Sequence, residues 1–193
     1  MIIDISAYNG HIDWQKVKEQ NYIERVILRA TTKNGEPDAL FSENFKAILK
    51  VYDNKMPIDV YKFSYAFNYS DAAAEAYKLI ATLKQLNVLH HINRLWLDLE
   101  PANNEIHTAS ECDQVISAYA SICDIYEVPF GIYCNYSYLK SNMRHWTKIF
   151  PFWLARWNDT MGDTEGFDIR MWQYSDKGSV AGINGAVDLS RYV

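Results

Sequence analysis

Residues 95–100 read LWLDLE. Leucine at alternate positions marks a buried strand, yet Asp98 and Glu100 interrupt the apolar run. Successive side chains of a strand point to opposite faces. Leu95, Leu97 and Leu99 therefore share one face, and Trp96, Asp98 and Glu100 share the other. Burying a carboxylate without a partner is costly. Leucines packed outward beneath helices, with the acids turned into an interior, reconcile both halves of the pattern.

The flanking chain repeats this grammar. Strands are expected at 2–6, 24–30, 57–67, 94–100, 128–136, 151–157, 169–174 and 186–190. Between them, Asp13 caps a short helix running to Glu19, and a helix covers 41–54 with Phe45, Ile48, Leu49 and Tyr52 on one face. Ser70 caps an alanine-rich helix to Leu86. Thr108 and Glu111 form a capping box ahead of the clearest helical stripe, which includes Cys112, Val115, Ile116 and Tyr119. A shorter helix spans 137–145. Alternation of this kind implies α/β architecture with parallel strands and crossover helices: about eight strands and five helices in an irregular, TIM-like (β/α) barrel. An open doubly wound sheet is the alternative. The last third is too short for full crossover helices. No repeat, linker or low-complexity tract divides the chain, so 1–193 is expected to be a single domain.

Composition narrows the function. Hydrophobic residues make up 49% of the 193 residues and charged residues 22%, a globular balance. A net charge of −5 with no basic stripe argues against nucleic acid as a partner. No stretch approaches the length of apolar chain that a membrane span needs. The start, MIIDIS, reads as a strand, with no signal peptide visible. The three cysteines, Cys112, Cys123 and Cys134, show no CxxC spacing and read as buried thiols. The histidines show no metal-ligand spacing, and neither a metal nor a cofactor is expected. The 14 Tyr, 8 Phe and 6 Trp supply core, and they also suit stacking on sugar rings.

In a barrel of this class, chemistry gathers at the C-terminal ends of the strands. Asp4 lies on the first strand, Asp98 and Glu100 on the fourth, and Asp188 on the last. Closure makes the first and last strands neighbours, so Asp4 and Asp188 can stand side by side over the same cavity. Two residues advance a strand by roughly 6.6 Å, which sets the carboxyls of Asp98 and Glu100 about 5 to 8 Å apart. Glycoside hydrolysis needs two carboxyls at such a separation, one protonated to serve the leaving oxygen and one anionic beside the oxocarbenium-like centre. Repulsion and burial keep one of them protonated. Glu100, longer and at the strand tip, suits the acid. Asp98, deeper, suits the anion. The plainer readings are pairing of these acids with Arg29, Arg156 or Lys62, or a divalent-metal site.

Seven stretches in order extend the case: IDISAYNGHIDW (3–14), RAT (29–31), YKFSYA (61–66), LWLDLE (95–100), GIYCNYSYL (131–139), PFWLARW (151–157) and WQYSDKGSVAGINGAVDLSRY (172–192). Together they resemble glycoside hydrolase family 25, the Chalaropsis-type lysozymes, from end to end. The resemblance implies a flattened barrel and retaining hydrolysis of the N-acetylmuramic acid β-1,4 N-acetylglucosamine bond of peptidoglycan. Glu100 would be the general acid/base. Asp98 would be a nucleophile or the support of a substrate-assisted oxazolinium intermediate. Asp4 and Asp188 match the family's terminal aspartates, and Tyr61, Tyr65, Tyr133, Trp153 and Gln173 its groove motifs. The implied partner is the peptidoglycan glycan strand, met by a monomer at the bacterial cell wall. Lys62 departs from the histidine common at that position, and alternation turns it away from the cavity. The competing readings are a chitinase-like barrel and a non-catalytic wall-binding module. Trp96 stands where the former needs its first acid, and the latter has no need of four carboxylates.

Overall fold

A computed structural model describes residues 1–101 and 105–193. Among them, eight strands close into a barrel in chain order. They are β1 (Ile2–Ile5), β2 (Arg25–Arg29), β3 (Ile58–Phe63), β4 (Ile92–Asp98), β5 (Phe130–Asn135), β6 (Phe152–Ala155), β7 (Ile169–Gly178) and β8 (Val187–Tyr192). The helices are α1 (Trp14–Glu19), α2 (Phe41–Val51), α3 (Tyr69–Gln85), α4 (Ala109–Ile125) and α5 (Tyr136–Asn142). The closed barrel, not the open sheet, is the architecture.

Strands β1 to β7 pair in parallel, and β8 is antiparallel to both of its neighbours. The cause lies in the expected shortage of chain. A parallel return needs a crossover of a dozen or more residues, and the segment between β7 and β8 is too short for one. One expectation is corrected by this. Asp188 stands at the N-terminal start of β8, and the reversed strand direction brings that start to the mouth where the other strands end.

Local chemistry sets the helix starts. The Asp13 carboxylate accepts from Lys16 N–H at 3.2 Å ahead of α1. Both halves of the Thr108–Glu111 capping box are made ahead of α4. The cap of α3 is Asn68, whose side chain accepts from Asp71 N–H at 2.9 Å, and Ser70 lies inside the helix. Asn68 is extended and can still turn its amide back on the first turn. Asn87, at φ 56°, ends α3 in the left-handed region that asparagine tolerates.

Two apolar layers form. Ile3, Ile5, Leu95, Leu97, Leu99, Ile132 and Leu154 face outward and pack beneath the helices with residues such as Leu79, Val115 and Tyr119. Inside the barrel a smaller cluster holds Ile2, Ile27, Trp96, Tyr133, Trp153 and Met171. Trp96 fits there because β5 offers Gly131 opposite it: a Cβ on Gly131 would run into the Trp96 ring. Below Trp96, the buried Asp59 carboxylate accepts the indole N–H at 2.8 Å and pairs with Arg25, closing the base of the barrel. The interior is thus a plug of rings, and the working face lies above it. All three cysteines are buried and unpaired, as expected.

Candidate active site

The mouth holds a cavity of about 230 Å³ lined by Asp4, Tyr61, Asp98, Glu100, Tyr133, Trp153, Trp157, Gln173 and Asp188. Strand alternation puts those on the strands there, and Glu100 and Trp157 continue the same faces just past β4 and β6. Asp4 lies above Ile2 on β1, Asp98 above Trp96 on β4, and Gln173 above Met171 on β7. Asp4 and Asp188 face each other in register across the seam that closes the barrel.

Gln173 organises one wall. Its Nε2 donates to Asp4 Oδ2 at 3.1 Å and to Asp188 Oδ2 at 3.2 Å. Its Oε1 accepts from the Tyr133 hydroxyl at 2.9 Å and the Trp157 indole at 3.1 Å. All four partners agree on one orientation of the amide. Burial, then the Asp188 charge, holds the Asp4 carboxyl well above the usual range. Asp188 is also raised, by burial and by Asp176. Adjacent carboxyls of this kind share a proton, because like charges at contact cannot both ionise. Burial and the surrounding acids likewise push the Tyr61 and Tyr133 phenols up, so both remain neutral.

Asp98 and Glu100 form the other wall. Burial raises Asp98 well above the carboxylate range, and the charges of Glu100 and Asp4 add to it, against the nearby Lys62 charge, which lowers it. Its Oδ1 is buried without a hydrogen-bond partner among the described residues. Glu100 lies just beyond the end of β4. Burial and Asp188 raise its pKa, against a hydrogen bond from Asn135 that lowers it. Asn135 also serves the next helix, since its Oδ1 accepts from Tyr138 N–H at 3.0 Å and caps α5. With the oxygen committed to the helix, the amide nitrogen is left to face Glu100.

The cations that would make these acids merely structural are engaged elsewhere. Arg29 pairs with Asp38. Lys62 donates to the Phe63 carbonyl at 2.6 Å. The Arg156 guanidinium lies over the Tyr136 ring at 4.2 Å. None of the four acids has an ion-pair partner among the described residues. Four raised carboxyls in one cavity, without ion-pair partners among the described residues, can donate a proton, accept one and stabilise a developing cation.

Comparison with known proteins identifies the family. The sequence model of Glycosyl hydrolases family 25 matches residues 3–183. The chain belongs to this family. Among the relatives of this family 25 chain, the uncharacterized protein YegX of Escherichia coli O157:H7 is 26% identical over 97% of the chain and 67% of its own length. The autolytic lysozyme of Clostridium acetobutylicum is 27% identical over 98% of the chain and 55% of its own length. The solved structure of the modular autolysin LytC of Streptococcus pneumoniae superimposes with a TM-score of 0.82 at 25% identity. That match covers 98% of this chain and 45% of LytC, so the family 25 chain spans less than half of that modular protein.

The family 25 chain gathers eight of the nine residues expected at its site. Tyr65 is the exception. It lies beyond the end of β3 and packs on Phe63, with ring centroids 4.8 Å apart. Its N–H donates to Glu75 at 3.0 Å, which draws the backbone toward α3 and away from the cavity. Trp157 lines the cavity without having been expected there. The signal was present: Trp153, Ala155 and Trp157 share a face by alternation. Asn135 had no such signal, because its double role needs α5 and the end of β4 in place.

Proposed function

We propose that this family 25 hydrolase is a lysozyme, a 1,4-β-N-acetylmuramidase that cleaves the N-acetylmuramic acid β-1,4 N-acetylglucosamine bond of bacterial peptidoglycan with net retention. One observation carries the reading. Among the described residues Asp98 holds a buried carboxyl oxygen without a hydrogen-bond partner, beside Glu100, in a cavity whose lining carries no Lys or Arg. Such an atom is costly unless a substrate completes it.

In this reading Asp98 and Glu100, which repel each other, hold one proton between them, and Glu100, at the strand tip beside the glycosidic oxygen, delivers it as the bond to the anomeric carbon breaks. Asp98 faces the positive charge that develops there. It either attacks the carbon, forming a glycosyl ester, or orients the sugar's 2-acetamido oxygen, which attacks in its place. Glu100, now a carboxylate, then takes a proton from the water that opens the intermediate. Both routes retain configuration. Asp4 and Asp188 add negative field beneath the ring, and Tyr61, Tyr133 and Trp153 enclose it. The glycan strand is the partner, met at the bacterial cell wall.

The decisive comparison is the clearing of cell-wall suspensions by wild type and by Glu100→Gln. The variant keeps the shape and loses the proton, and about 10²- to 10⁴-fold of the rate should go with it. Equal clearing by both would remove Glu100 from its role. Mass analysis should find muramic acid at the new reducing ends. Glucosamine there would overturn the bond assignment, and binding without any release would return the chain to a wall-binding module.

A further inference from the structure

A second pocket of about 330 Å³ adjoins the first, and Glu100 and Trp157 line both. Of the four acids only Glu100 reaches it. Asp4, Asp98 and Asp188 all lie on the other side. That division orients the substrate. The glycosidic oxygen must sit at the proton donor, between the sugar that receives the anionic charges and the sugar that leaves. The second pocket is therefore on the leaving-group side.

Its walls are prepared for a ligand. Trp157 is anchored through its indole nitrogen to Gln173 Oε1, while 55% of the residue remains exposed. A ring fixed at one edge and bare on the rest is a stacking platform for a pyranose. Arg156 stands beside it, anchored by backbone bonds: its N–H donates to the Gln173 carbonyl at 3.0 Å, and its carbonyl accepts from the Trp172 indole at 2.8 Å. Its guanidinium lies against the Tyr136 ring at 4.2 Å. The loop passes so close on another side that a Cβ on Gly162 would overlap Nη1. The charge is held in place and not balanced. Arg25, Arg29 and Arg170 each pair with an aspartate, whereas Arg156 has no carboxylate within ion-pair distance among the described residues. A guanidinium already fixed in one position loses little entropy on binding, and its fork geometry favours carboxylates.

We infer that Trp157 and Arg156 form a leaving-group subsite in which the departing sugar stacks on Trp157 and Arg156 binds a carboxylate carried by an adjoining muramic acid. The inference rests on the muramidase reading. It adds a preference for acidic glycan over neutral chito-oligosaccharide. Two sources supply that carboxylate: the lactyl group when the peptide is absent, and the stem-peptide glutamate when it is present.

The test measures kcat and KM of wild type, Arg156→Met, Arg156→Lys and Trp157→Ala on three glycans. One is peptide-free with lactyl carboxylates, one carries stem peptides with free glutamate, and one carries stem peptides with the glutamate amidated. Methionine retains packing on Tyr136 without charge. Arg156→Met should raise KM about tenfold on a carboxylate-bearing glycan at nearly unchanged kcat, with partial retention in Arg156→Lys and little change on the amidated one. A loss confined to the first substrate assigns the lactyl carboxylate, and one confined to the second assigns the glutamate. A loss in Arg156→Met equal on all three overturns the carboxylate role, as does no loss. Trp157→Ala should raise KM on every substrate, and an unchanged KM overturns the stacking role. Inactivity of the wild type on all three counts against the muramidase reading, which keeps the two failures distinct.

Discussion

Asp98 shows how much one residue bears. It is 7% exposed, its Oδ1 has no hydrogen-bond partner among the described residues, and burial with two neighbouring acids raises its pKa well above the unfolded value. The folded state therefore binds more protons than the unfolded chain between those two pKa values, and stability falls as pH rises through that window. Asp98→Asn keeps the shape and removes the charge. At neutral pH the variant should be more stable by about 1–3 kcal/mol, and the advantage should vanish in acid below the ordinary aspartate range, where wild type is neutral too. Thermal melts at both pH values, with a wall-clearing assay alongside, measure the exchange of stability for activity. No gain at neutral pH would mean that Asp98 carries no electrostatic strain. Sequence alternation was enough to turn Asp98, Glu100 and Trp96 inward. The unpartnered oxygen was not legible, since it depends on where Arg29, Lys62 and Arg156 come to rest.

Among the elements, β4 and β5 show how neighbouring strands are matched. Trp96 and Gly131 pair in register, and the missing side chain makes room for the indole. The same indole holds Asp59 at the base. Gly131→Ala forces a methyl into the ring and should cost about 1–3 kcal/mol, read as a lower denaturant midpoint with the slope unchanged. In a Trp96→Phe chain the same Gly131→Ala change should cost less, because the smaller ring vacates the clash, although losing the indole bond to Asp59 has its own cost. If Gly131→Ala costs as much in the Trp96→Phe chain as in wild type, the two residues do not share the space. The sequence placed both strands and the α4 capping box, because those signals are local. It missed Asn68 as the cap of α3, since Ser70 is an equally good capping residue by type and only the backbone path after β3 separates them.

The whole molecule depends on closure. β8 runs against both neighbours and seals β7 to β1, and the Trp153 indole on β6 reaches across the interior to Ser190 Oγ on β8 at 3.0 Å. Ser190 is fully buried, so Ser190→Ala strands a buried N–H and should lower unfolding free energy by about 1–3 kcal/mol in chemical denaturation. A neutral result would show that water or another acceptor serves the indole and that this bond does not secure the seam. Local sequence was sufficient for the α/β class, the order of the strands, the two faces of LWLDLE and the acids that share a cavity. These follow from period-2 alternation, helical spacing and capping residues, all written in a few consecutive positions. The direction of β8, the proton-sharing contact of Asp4 with Asp188, the exclusion of Tyr65 and the placement of Arg156 and Trp157 around a second pocket emerge in the folded chain alone. Each of those depends on groups far apart in the chain, and their meeting is fixed by barrel closure and by competition among partners.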